Sequence, residues 1–142
     1  MARVVIAEDE EGLRGFVARA LTLDGHEVTA AADGAEALDL IARHRGGFDL
    51  LLADVRMPVM DGIALALATA RDYPQITILL MTGYADQRER AHGLDALIHD
   101  VISKPFTLSQ IRTAVNEALG RMTEVRLQMS DVRDDFNPSS GI

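Results

Sequence analysis

Glu8 and Asp9 follow a short apolar run in tandem, Asp54 closes a second run, Thr82 a third, and Lys104 comes directly after a fourth. If those runs are neighbouring strands, three carboxylates, one hydroxyl and one ammonium converge. Crowded carboxylates raise one another's pKa unless a cation neutralises them, so the cluster calls for a divalent ion. An all-oxygen donor set favours magnesium or manganese over zinc. With the ion in place the site becomes receptive to a phosphoryl group, whose transfer needs charge neutralisation and alignment more than elaborate covalent chemistry. A carboxylate can itself be the nucleophile and give an aspartyl phosphate. Asp54 is the candidate nucleophile, because it ends the most continuously apolar run, Leu50-Leu51-Leu52-Ala53. Asp9, with Glu8 beside it, is the candidate metal ligand.

Lys104 is the only lysine among 14 Lys and Arg residues. A compact ammonium on a flexible stem reaches a phosphoryl oxygen where a planar guanidinium needs more room. Pro105 restricts Lys104 to an extended backbone and so fixes its direction. Thr82 supplies a neutral donor for a phosphoryl oxygen, and Gly83 leaves space for a phosphodonor. Taken singly, these elements have ordinary readings. The acidic run Glu8 to Glu11 suits a helix N-terminus, and Met57-Pro58 with Asp61-Gly62 is turn chemistry. Their joint placement, one group per strand end, is what chance turns do not produce. His26, His44, His92 and His99 are scattered without metal-ligand spacing and read as surface or packing residues.

The scaffold is legible as an alternation of short apolar runs with helical-period segments. Strands are expected at Val4 to Ala7, Val28 to Ala31, Leu50 to Ala53, Ile76 to Met81 and Val101 to Ser103. Helices are expected through Leu13, Phe16, Val17, Ala20 and Leu21, stopped by Gly25; through Ala37, Leu38, Ile41 and Ala42 behind an Asp33 cap; and in the Ala/Leu-rich stretch to about Ala70. A polar helix around Asp86 to Leu94 and a last one from Leu108 complete the set. This predicts an α/β fold, a doubly wound five-stranded parallel sheet with right-handed crossovers. Ligands in such sheets sit beyond the carboxyl ends of the strands.

The 142 residues, 48% hydrophobic and 25% charged, suit one globular domain, and with 4% aromatics its core is aliphatic. The net charge of -8 opposes nucleic acid and anionic membranes as partners. The absence of cysteine excludes disulfides and thiolate metal sites. The first apolar run, broken at Glu8, is too short for a signal peptide or a membrane span, so a soluble, cytoplasmic protein is expected.

Glu8-Asp9, the segment Asp54-Val55-Arg56-Met57-Pro58-Val59-Met60-Asp61-Gly62, Thr82-Gly83 and Lys104-Pro105-Phe106 together resemble the response-regulator receiver domain of bacterial two-component signalling, over roughly residues 1 to 120. The resemblance implies a flavodoxin-like (βα)5 fold with strand order 2-1-3-4-5. It implies that Asp54 accepts a phosphoryl group from a histidine kinase or histidine phosphotransferase. Asp9, Asp54 and the backbone carbonyl of Arg56 would bind Mg2+ or Mn2+, with Glu8 in support. Thr82 and Lys104 would contact the phosphoryl group, flanked by Gly83, Tyr84, Val101 and Pro105. Such a chain is a phosphoacceptor switch rather than an enzyme, its chemistry limited to phosphoryl transfer to itself and autodephosphorylation. Ala7-Glu8-Asp9-Glu10, Leu50 to Asp54 and Met60-Asp61-Gly62-Ile63 are also similar to the CpdR-type single-domain regulators. That similarity implies a phosphotransferase upstream and the ClpXP protease downstream.

Where many receivers carry an aromatic two residues before the Ser/Ala-Lys-Pro step, this chain has Val101. Tyr84, with Arg56, is expected to flank the phosphoryl group and limit the attacking water. A magnesium-dependent phosphohydrolase shares the strand-end aspartate but needs a second acid two residues on, where Arg56 stands. A flavodoxin-like cofactor binder needs a phosphate loop where this chain has Glu8-Asp9-Glu10-Glu11. Residues 121–142 read as a helix extension and tail, too short for a DNA-binding output domain, so output through a protein target is expected. Ile111, Val115, Ala118, Met122, Val125, Met129, Val132 and Phe136 recur four and three apart. The stretch Met122 to Met129 predicts homodimer pairing or docking on a partner, and the part past Gln128 reads as disordered.

Overall fold

The computed structural model describes residues 2–120, apart from the side chains of residues 85–87 and 92. Strands β1 (Arg3–Ala7), β2 (Glu27–Ala31), β3 (Leu50–Asp54), β4 (Thr77–Thr82) and β5 (Asp100–Ser103) alternate with helices α1 (Glu11–Leu23), α2 (Gly34–Arg43), α3 (Gly62–Asp72) and α4 (Ala85–His92). Residues 108–120 are helical and form α5. Every strand pairing is parallel and the order is β2-β1-β3-β4-β5. This is the flavodoxin-like arrangement expected.

Successive residues of a strand point to opposite faces, and helices cover both faces here, which is why the central strands are apolar without interruption. On one side Val5, Leu51, Ile78 and Leu80 pack with Ala37, Ile41, Leu65 and Ala66. On the other, Val4, Ile6, Leu52 and Met81 pack with Val17, Leu21, Ile111, Val115 and Ala118. Burying each large aliphatic side chain stabilises the fold by roughly 1.5–3 kcal/mol. The helix starts are set locally: Asp33 Oδ1 accepts from Glu36 N at 2.8 Å, Glu36 Oε2 accepts from Ala32 N at 3.1 Å, and Asp61 Oδ1 accepts from Ala64 N at 2.8 Å.

β3 and β4 run one residue past their last apolar position. Asp54 pairs with Met81 and Thr82 with Ser103 in the ladder, so these two polar groups belong to the sheet rather than to the loops after it. β2 starts earlier than expected, at Glu27 opposite Arg3, and α4 ends two residues short of Leu94. Of the heptad-like seam, Ile111, Val115 and Ala118 are buried on the chain's own sheet. Met122, Val125, Met129, Val132 and Phe136, with the boundary at 120/121, lie outside the described residues. Among the described residues no helix is long and apolar enough to cross a membrane.

The loop from β3 to α3 is pinned at several points. Val55 N donates to Met81 O at 2.9 Å, Gly62 N to Val55 O at 2.9 Å, Met60 N to Pro58 O at 2.7 Å, and Gly34 N to Met60 O at 3.1 Å. A Cβ at Gly62 would lie 2.2 Å from the Asp54 carbonyl oxygen, and one at Gly34 would lie 2.3 Å from that of Met60. Both glycines are therefore required by space. Gly62→Ala is expected to destabilise the fold by about 2–3 kcal/mol in urea unfolding, since backbone rather than a flexible side-chain end must yield. An unchanged midpoint would show that the Asp54 backbone is not held as described.

Candidate acidic phosphoryl site

β1, β3 and β5 deliver Glu8, Asp9, Asp54 and Lys104 to one end of the sheet. One oxygen from each of Glu8, Asp9 and Asp54 lies within 4.8 Å of the others. Lys104 Nζ donates to Glu8 Oε1 and to Asp54 Oδ2, each at 2.7 Å. Glu8 is 1% exposed and Asp54 6%. The remaining oxygens are also engaged: Glu8 Oε2 accepts from Glu10 N at 3.2 Å, and Asp54 Oδ1 from Arg56 N at 3.3 Å. The exposed carboxylate of Asp9 has no hydrogen-bond or ion-pair partner among the described residues. Asp9 is thus the acid most open to a cation, and Glu8 the one most committed to the protein.

Burial is the largest influence on Glu8 and disfavours its charge. Asp54 adds to this, the Lys104 hydrogen bond opposes it, and the net result is a pKa raised from 4.5 to about 7. Burial also works against the Lys104 ammonium, but its bonds to Asp54 and Glu8 outweigh that and hold its pKa above the ordinary lysine range. Hard oxygen donors with no histidine among the lining residues fit Mg2+ or Mn2+.

The cluster opens into a cleft of about 1040 Å³, lined also by Glu10, Leu13, Arg56, Met57, Pro58, Gly83, Tyr84, Pro105 and Phe106. Arg56 places its guanidinium carbon 5.4 Å from the centre of the Tyr84 ring, so the two expected flanking residues meet in a cation–π contact. Gly83 is open, a Cβ there reaching Lys104 Cβ only at 3.8 Å. The Lys104–Pro105 peptide is cis. Thr82 and Val101 are not among the cleft-lining residues. Thr82 Oγ1 donates to Tyr84 O at 3.2 Å and accepts from Tyr84 N at 3.3 Å. Val101 is buried in the core beside Leu80, Ala91 and Ile98.

Sequence reasoning aimed Lys104 at a phosphoryl oxygen and did not anticipate that its ammonium bridges two acids. Nor did it single out Arg14, whose Nη1 donates to the Glu8 carbonyl at 2.9 Å. The available signal was its place five residues after Asp9, within reach of the acidic turn.

The Glu8 shift has a definite sign. Its folded pKa lies above its unfolded value, so its contribution to stability is complete below about pH 4.5 and is lost as pH rises through about 7. In metal-free solution, raising the pH across that window is expected to destabilise wild type relative to Glu8→Gln by on the order of 1–3 kcal/mol. Urea midpoints for the two proteins at each end of the window measure the difference. Parallel pH profiles would remove the assignment.

Comparison with known proteins agrees with this geometry. A family model described as the response regulator receiver domain matches residues 4–116. The chain is 34% identical over 119 residues to the response regulator MprA of Mycobacterium sp. (strain KMS), covering 84% of this chain and 51% of that protein. It is 35% identical over 121 residues to the response regulator MprA of Mycolicibacterium vanbaalenii, covering 85% and 52%. The chain spans about half the length of these curated relatives. A chemotaxis response regulator of Vibrio cholerae superposes with a TM-score of 0.74 at 30% identity, over 83% of this chain and 98% of that one. The response regulator TrrA of Thermotoga maritima, solved in complex with Mg2+ and BeF, shares the fold with a TM-score of 0.73 at 24% identity, over 83% and 99%. With the family model matching all five strands but for Arg3, and all the strand-end groups, the chain belongs to the response regulator receiver domains of two-component systems.

Proposed function

We propose that this chain is a phosphoryl-accepting switch, with residues 1–120 as the receiver unit and Asp54 as the phosphoacceptor. The observation that carries the reading is the Lys104 ammonium placed 2.7 Å from both Asp54 and Glu8, with the Asp9 carboxylate open beside them. Asp9, Asp54 and the Arg56 carbonyl would hold Mg2+ or Mn2+, with Glu8 in support. The ion, when bound, supplies charge neutralisation at the phosphoryl oxygens. The donor is a phosphohistidine of a cytoplasmic histidine kinase or histidine phosphotransferase. An Asp54 carboxylate oxygen forms the new O–P bond as the N–P bond breaks and its electron pair returns to the imidazole.

The acquired phosphoryl group offers new acceptors to Lys104 and Thr82. Thr82 would exchange its bonds to the Tyr84 backbone for one to a phosphoryl oxygen, and the loop between β4 and α4 would repack. The phosphoryl group shifts that equilibrium only by its unequal contacts with the two arrangements. A protein partner reads the changed surface.

Incubation with acetyl phosphate and Mg2+ is expected to add the mass of one phosphoryl group to wild type and none to Asp54→Asn, with both proteins folded by circular dichroism. Equal modification of the two would overturn the assignment. The Arg56–Tyr84 stack shields the site from water. Arg56→Ala and Tyr84→Ala should each speed loss of the phosphoryl group by roughly two- to fivefold, the range a surface cation–π contact supports. Unaltered decay in both variants would remove the stack from the account of lifetime.

A further inference from the structure

Arg14 is the fourth residue of α1 and stands among Asp9, Glu10 and Glu11, yet among the described residues it pairs with no carboxylate. Its Nη1 donates instead to the backbone carbonyl of Glu8 at 2.9 Å, with that of Asp9 at 3.4 Å. The turn from β1 into α1 lacks the usual device for fixing its shape, because Glu10, at the N-cap, makes no side-chain capping bond. Glu8 N donates to Ala31 O at 3.0 Å and so ties the start of the turn to the sheet. Beyond that point four consecutive acids repel one another, and besides Arg14 the turn is held by the bond from Glu10 N to Glu8 Oε2 at 3.2 Å.

Resting on the cation-binding reading above, we infer that Arg14 is a positioning residue for the acid pair. Its guanidinium holds two consecutive carbonyls, sets the plane of the peptide joining Glu8 to Asp9, and so aims both carboxylates at the cation site while occupying neither. A cation that paired with Asp9 directly would compete with the metal. One that grips the backbone leaves the Asp9 carboxylate oxygens available.

The sign of one substitution separates positioning from simple electrostatics. A fixed positive charge near a cation site repels the incoming ion, so by charge alone Arg14→Met should bind a divalent ion more tightly. By positioning it should bind more weakly, by about tenfold or more, as loss of a ligand-orienting partner does. The probe is Mn2+ titrated into the full chain and followed by the electron paramagnetic resonance signal of the unbound ion. Thermal melts in EDTA establish that each variant is folded. Arg14→Lys, which keeps one donor nitrogen able to serve both carbonyls as Nη1 does, should recover most of the affinity. Unchanged or tighter Mn2+ binding by Arg14→Met would overturn the inference. So would binding by Arg14→Lys as weak as that of Arg14→Met, and Arg14→Ala takes the place of Arg14→Met if that variant does not fold. Wild type and Asp9→Asn separate this from failure of the underlying reading: if wild type binds no Mn2+, or Asp9→Asn binds it equally well, the acid site itself is misassigned and the role of Arg14 falls with it.

Discussion

The Lys104 ammonium, lodged between Glu8 and Asp54, is the contact around which the strand ends are organised. Lys104 follows the edge strand β5, while its partners end β1 and β3, so its side chain must pass over the end of β4. Adjacent strands lie about 4.8 Å apart, which puts β5 about 10 Å from β3. Only a long, flexible stem crosses that gap. Gly83, directly after β4, is no obstacle to it, since even an added Cβ there would stand 3.8 Å from Lys104 Cβ. The lone lysine and the paired acids are thus parts of one geometric solution. Breaking a buried ion pair on one side strands the other charge, so the three strands that carry these groups have little freedom to shift independently.

The backbone beneath the acids is equally constrained, and the strain it carries is local. Val59 has φ of 67° and is 84% exposed. A β-branched residue in the left-handed region is disfavoured by roughly 1–2 kcal/mol and persists only when its surroundings over-determine it. Here Gly34 N captures the carbonyl of Met60, Met60 N returns to Pro58 O, and Gly62 packs against the Asp54 carbonyl. The loop that carries Arg56 is therefore fixed at both ends by contacts too close to allow a Cβ. Rigidity under Asp54 keeps a buried acid in register with Lys104.

Much of this is written locally in the chain. Uninterrupted apolar runs such as Leu50 to Ala53 report strands covered on both faces, and Asp33 announces its helix as a cap, whereas Asp61, read with Gly62 as turn chemistry, proves to cap α3. Apolar patterning stops at the last apolar residue, so it places Asp54 and Thr82 after the strands although both are rungs of the ladder. What the sequence does not show is how side chains choose among distant partners. Lys104 and Glu8 are 96 positions apart, and nothing near either residue specifies the bridge. Arg14 has acids beside it in sequence and takes carbonyls instead. Val101 sits where family likeness suggests a site residue, but strand alternation turns it into the core with Leu80 and Ala91. The left-handed Val59 is invisible for the same reason, because it precedes Met60, whose carbonyl is held by Gly34 from another helix.

Three carboxylates and one ammonium leave the cleft with a surplus of two negative charges when all are ionised. Burial above all, with the Asp54 charge added, raises the Glu8 pKa to about 7, so below that pH part of this surplus is taken up by a proton. A divalent cation matches the surplus while leaving the ammonium where it is. On the proposed reading, phosphorylation replaces the single charge of Asp54 with a group carrying about -1.5 to -2. Demand for positive charge then moves from Glu8 toward phosphorus. Lys104 cannot satisfy Glu8 and a phosphoryl oxygen equally from one position, and its tether is the edge strand β5. A change of partner by this one ammonium is therefore transmitted to β5 and to the Thr82–Tyr84 turn beside it. The cation that balances the cleft is by the same token the link between its charge and the surface a partner would meet.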